Sequence, residues 1–191
     1  VKKFLFVLAT MVVLVAGCGN EENDSSKNDI EGPKAEEKLK EEKLSHLEKQ
    51  QILMDFVNED ISRISYYEVE ANKALATVSG QNYRNDQKLY EVLVNEVLPT
   101  YKKAVDRAAA IEVEMEELEP IKVMVEEATN TFYKALLIEK EALEKQDIEL
   151  IEEANVIAEE YDILINEYHE EMKKLSEKYN VIYEPSQLDI A

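Results

Sequence analysis

Two histidines, one cysteine, ten tyrosines and a knot of glutamates are the residues of this 191-residue chain that could do chemistry. His46 and His169 raise the question of a metal. Helical bundles hold di-metal centres through Glu-x-x-His, which points a carboxylate and an imidazole inward from adjacent turns. Lys43 stands three residues before His46 and Asn166 three before His169, so neither completes that motif. Both are expected on solvated faces, His169 beside Glu170 and Glu171, and no metal or other cofactor is predicted. Glu112, Glu114, Glu116, Glu117 and Glu119 could hold Ca²⁺ only loosely. They lack the Asp/Asn/Gly loop spacing of a calcium cage, and a solvated turn is the expectation.

Covalent catalysis has no better foothold. The chain carries no Gly-x-Ser-x-Gly elbow, no glycine-rich phosphate loop and no Trp to stack a sugar. No catalytic residue is assigned, and a non-enzymatic role is expected. Among the tyrosines, Tyr101, Tyr161, Tyr168 and Tyr179 fall at helical spacing with apolar residues. Core packing with hydroxyls reaching the bundle edge accounts for them. The sharper alternative is an aromatic groove opened by a kink at Pro99, able to take an apolar ligand or a partner helix.

Cys18, the remaining candidate, follows Leu14-Val15-Ala16-Gly17. Lys2 and Lys3 make a short positive segment, and Phe4 to Ala16 form an apolar run of 13 residues. That length suits a secretory signal and falls short of the roughly 20 residues that span a bilayer. The segment resembles the signal and lipobox of bacterial lipoprotein precursors, with Val15 where Leu is usual. The resemblance covers residues 1–18 and implies cleavage between Gly17 and Cys18, with a diacylglycerol on the Cys18 sulfur. Two acyl chains anchor stably where one binds reversibly. It also implies an extracytoplasmic location on the cell membrane, and the Lys/Glu-rich, Trp-free composition suggests a Gram-positive source.

Removal of residues 1–17 takes Lys2 and Lys3 from the 22 basic residues and none of the 42 acidic ones, leaving a charge of −22. Such a surface repels nucleic acid phosphates, anionic lipid headgroups and anionic wall polymers. Only four glycines (17, 19, 32, 80) and four prolines (33, 99, 120, 185) punctuate the chain, which excludes a many-stranded fold. Residues 18–33 are polar and aperiodic and read as a disordered tether. Lys34 to Gln51, rich in Glu and Lys, reads as a solvated helical stalk leading into a long first helix.

The apolar seam of helix 1 runs Leu47, Met54, Val57, Ile61, Ile64, Ala71, Leu75 and Val78, and Ser79-Gly80 ends it. Asn82 or Asn85 can cap helix 2, whose seam is Leu89, Leu93, Val97, Tyr101, Ala104, Ala108 and Ile111. Pro99 should kink that helix rather than end it. The pattern then alternates, placing a connection at 112–119, and Pro120 falls in the first turn of helix 3. Helix 3 carries Val125, Ala128, Phe132, Ala135, Leu136 and Ala142. Asp147 can cap helix 4, whose seam runs from Ile151 through Ala154, Ala158, Tyr161, Ile165, Tyr168, Met172 and Leu175 to Tyr179.

The fold class expected is all-α: an antiparallel up-down four-helix bundle over 34–183, with a tail at 184–191. A coiled-coil dimer with helices 3 and 4 fused is the competitor, opposed by the lost phase at 143–150. In the bundle the Gly80 and Gln146 turns lie far from the lipid. Tyr83 and Arg84, at the least acidic end, are the candidate contact for an envelope protein, since Tyr and Arg are enriched at contact hot spots. The expected role is to bind or scaffold another envelope component. The alternative is a small-molecule or ion-binding accessory of a transporter.

Overall fold

The computed structural model describes residues 11–12 and 44–186. Gly17 and Cys18, the 1–17 signal segment apart from residues 11–12, the 18–33 tether, residues 34–43 of the stalk and the end of the tail lie outside the described residues. The described chain is all-helical but for a two-residue ladder: β1 (Met11–Val12) runs antiparallel to β2 (Pro185–Ser186), with Met11 opposite Ser186.

Four helical rods make up the body. The first joins α1 (His46–Asp55), a π turn (Phe56–Ile61) and α2 (Ser62–Ala76). The second joins α3 (Asp86–Val92), a π turn (Leu93–Val97) and α4 (Leu98–Ala109). The third is α5 (Glu119–Lys145) and the fourth α6 (Ile148–Lys178).

Local chemistry sets the boundaries. Ser45 closes a capping box: its hydroxyl accepts from the Glu48 N–H, and the Glu48 carboxylate accepts from the Ser45 N–H at 2.7 Å. This corrects the expectation of unbroken helix from Lys34 through Gln51, since Leu44 and Ser45 are non-helical. The seam also starts later than expected. Leu47 is 75% exposed, and the first buried residue is Leu53. Gly80 takes a positive φ of 54° in the turn after α2, a conformation that costs glycine little. The Asn85 side chain accepts from the Lys88 N–H, and Asp147 from that of Glu149.

Pro99 neither ends nor sharply breaks the second rod. Leu89, Leu93, Val97 and Tyr101 recur every four residues, and all four are buried. A helix of 3.6 residues per turn would rotate that row off the core. The wider π turn at Leu93–Val97 absorbs the excess, and it lies where Pro99 removes a backbone N–H.

Packing follows chain order: α2 lies on α4, α4 on α5 and α5 on α6. Thus α5 and α6 are not one long helix; Gln146, at φ 55°, turns the chain back between them. Two apolar clusters fill the interior. One gathers Val78, Leu89, Tyr101, Phe132 and Tyr161, the other Leu53, Ile64, Ile111, Met115 and Met172. The chain stays packed beyond α6. The Val181 N–H bonds to the Ser176 carbonyl at 2.9 Å, and Val181 and Tyr183 lie against the second cluster.

Candidate functional site

Glu68 is the feature that the apolar pattern hides. Ile61, Ile64, Glu68 and Ala71 are spaced three, four and three, so α2 carries this carboxylate into the core at a position an aliphatic residue would suit. It is 6% exposed. The Tyr101 hydroxyl donates to its Oε1 at 2.8 Å from α4, and Tyr161 donates to the same oxygen at 3.5 Å from α6. Phe132 from α5 holds both rings, with centroids 5.0 Å from each. Packing that locks two donors onto one oxygen fixes the carboxylate.

Beside Glu68 lies a chamber of about 30 Å³, walled by Ile61, Ile64, Val125 and Ile165 and by the polar residues Ser65, Glu68, Thr129, Tyr161 and Tyr168. Thr129 Oγ1 donates back to the Val125 carbonyl at 2.9 Å. The Tyr168 hydroxyl is buried; it faces Tyr183 without a hydrogen bond of acceptable geometry. Burial raises the Glu68 carboxyl to about 7, against the lowering effect of the two tyrosine donors. Burial likewise lifts Tyr101, Tyr161 and Tyr168 well above the usual phenol range. The site can therefore hold or release a proton near neutrality and surround a guest of one or two atoms.

A second centre lies at the opposite end of α2's rod: in the 112–119 connection Glu112, Glu114, Glu116 and Glu119 are exposed, as expected of a solvated turn, but Glu117 is not. Glu117 Oε1 accepts from Lys49 Nζ at 2.8 Å, from the Tyr179 hydroxyl at 2.6 Å and from Lys178 Nζ at 3.2 Å. Gln50 Nε2 adds a 2.6 Å bond to the Tyr179 carbonyl. These bonds clasp the connection before α5 to the start of α1 and the end of α6. The two ammonium groups and the phenol pull the Glu117 carboxyl down to about 2.

The histidines divide. His46 is exposed, with its ring 5.5 Å from that of Tyr179. His169 is not the solvated surface residue expected: it is half-buried, its Nδ1 lies 2.6 Å from the Tyr183 hydroxyl, and burial depresses it to about 4. Tyr101, Tyr161, Tyr168 and Tyr179 are all buried, as their seam positions implied. Three of them, however, line or bond the Glu68 site rather than merely filling space.

At the proposed docking tip, Tyr83 is half-buried against the first cluster and its hydroxyl donates to Asp86 at 2.6 Å; Arg84 is exposed. From α3 the Tyr90 hydroxyl reaches Glu144, near the end of α5, at 2.7 Å. Gly17 and Cys18 lie outside the described residues. Among the described residues, no three of His, Cys, Asp and Glu gather to hold a metal ion, and no helix is long and apolar enough to cross a membrane. Comparison with protein-family models, with characterised proteins and with solved structures found no match to this chain.

Sequence reasoning missed Glu68, yet a signal was present. The helix 1 seam jumps seven residues from Ile64 to Ala71, and the skipped core position is Glu68.

Proposed function

We propose that this chain is a lipoprotein of the extracytoplasmic membrane face that binds or scaffolds another envelope component through a rigid antiparallel up-down four-helix bundle. The observation that carries the reading is the order of segments: positive residues, a 13-residue apolar run, Leu14-Val15-Ala16-Gly17-Cys18, a polar stretch, then the helical body. Cys18 carries the lipid after cleavage at Gly17. The up-down topology is supported by the two clasps: Lys49–Glu117–Tyr179 joins the start of the first rod to the connection before the third and the end of the fourth, and Tyr90–Glu144 joins the start of the second rod to the end of the third. It puts Tyr83 and Arg84 at the tip away from the lipid. A packed core with no catalytic constellation suits a post better than an enzyme.

The test has two parts. Mass spectrometry of the chain from its native membrane should show a diacylglycerol on Cys18 as the first residue, and Cys18→Ala should release the protein into the soluble fraction. Crosslinking in cells from position 83 should then capture one discrete envelope protein, and Arg84→Ala should weaken that capture. An unacylated, cytosolic protein overturns the reading.

A further inference from the structure

The geometry at Glu68 points to a binding site: we infer that the chamber between α2, α5 and α6 takes one dehydrated monovalent cation of about sodium's size. Two independent observations carry it. The first is a buried carboxylate with no cationic side chain beside it among the described residues. The titratable groups facing it are Tyr101 from α4 and Tyr161 and Tyr168 from α6, while α5 presents only Val125 and Thr129 to the chamber. A charge so placed needs a counter-ion or a proton. The second is the Tyr168 hydroxyl, 4% exposed, lining the same chamber without a hydrogen bond of good geometry.

Every polar side chain in the wall (Ser65, Glu68, Thr129, Tyr161, Tyr168) ends in oxygen, the donor atom hard cations take. The volume of about 30 Å³ suits an occupant of about a water's size. Because Tyr101 and Tyr161 both bond Oε1, the cation takes Oε2. A divalent ion is excluded by charge, since one carboxylate would leave a net positive charge buried. Binding exchanges the cation for the carboxyl proton, one for one, so apparent affinity rises with pH and levels off above the Glu68 midpoint.

The site stands on its own geometry and does not depend on acylation or on a partner. Its test is the melting temperature of the full chain in sodium chloride against choline chloride at equal ionic strength, well above pH 7. Stability should climb with the logarithm of sodium concentration and stay level in choline. Glu68→Gln should abolish the difference, and Tyr168→Phe should reduce it while leaving the carboxylate. Sodium-23 line broadening by the wild-type chain, lost on acidification, reads the same event where Glu68→Gln fails to fold. Equal melting in both salts together with no line broadening overturns the proposal, and assigns the chamber to a water beside a protonated acid. A sodium response kept in Glu68→Gln overturns it equally.

Discussion

Glu68 and Glu117 are the same side chain, each bonded by a tyrosine hydroxyl, and their carboxyls are shifted in opposite directions. Each receives a tyrosine hydroxyl at close range, Tyr101 at 2.8 Å on Glu68 and Tyr179 at 2.6 Å on Glu117. Glu68 is nonetheless pushed up to about 7 and Glu117 pulled down to about 2. Phenol donors therefore do not decide the matter. What differs is water and cations: Glu117 lies at the solvent edge between Lys49 and Lys178, whereas Glu68 is buried among neutral hydroxyls and aliphatic walls. The lower clasp is a stability device tied to charge, and the core site is a proton or cation holder maintained at a cost in stability.

The largest effect expected from breaking this contrast is at Glu68. Its folded pKa lies above the ordinary value of 4.5, so its contribution is fully present below that value and is lost as pH rises through about 7. The loss is on the order of 3 kcal/mol. In choline chloride, Glu68→Gln should remove this slope and exceed the wild type in stability above pH 7. Denaturant unfolding at several pH values measures it, and a parallel pair of pH profiles would refute it.

The wild-type profile alone will not reveal that slope, because His169 opposes it. Burial depresses His169 to about 4, so its contribution is present above the ordinary 6.5 and is lost as pH falls toward 4. After allowance for water at its open edge, the effect is about 1–2 kcal/mol. The two groups act over overlapping ranges with opposite signs, and the intact chain should show a shallow dependence. His169→Gln should unmask the Glu68 slope. Relative to this variant, the wild type should lose stability as pH falls from 6.5 toward 4, and no such relative loss would count against the buried imidazole.

Much of the fold was legible because apolar spacing is a direct consequence of helix geometry. The seam of the second rod, from Leu89 to Ile111, is buried throughout, and Gly80, Asn85, Pro120 and Asp147 sit in the turns and caps their chemistry suits. Three things were not legible. Helix 1 was extended through Ser45 because Glu/Lys pairs favour helix on both sides, and only the reciprocal bonds with Glu48 show the cap. Seven-residue spacing from Met54 puts Leu47 on the seam, but the buried face runs through Leu53 and Phe56 and leaves Leu47 outside. Glu68 is marked in the sequence only by the seven-residue jump of the seam from Ile64 to Ala71, and nothing local sets Glu117 apart from the four glutamates around it. Their roles come from partners 33 and 68 residues away, Tyr101 and Lys49.

The smallest effect expected is at the clasp, where it sharpens the comparison from the other side. Glu117→Gln keeps an acceptor for the Tyr179 hydroxyl and removes only the charge that holds Lys49 and Lys178. The loss should be about 1 kcal/mol or less, because all three charged groups meet water. It should shrink as salt is added, since these charges meet solvent and the screening length falls from about 10 Å at 0.1 M to about 3 Å at 1 M. For wild type, the depressed carboxyl contributes above its ordinary value of 4.5 and fades as pH falls toward 2. A double-mutant cycle with Lys49→Met isolates the Lys49–Glu117 pair. Coupling that survives high salt would mean that the clasp excludes water as the core site does, and the distinction between the two glutamates would then rest on the cations alone.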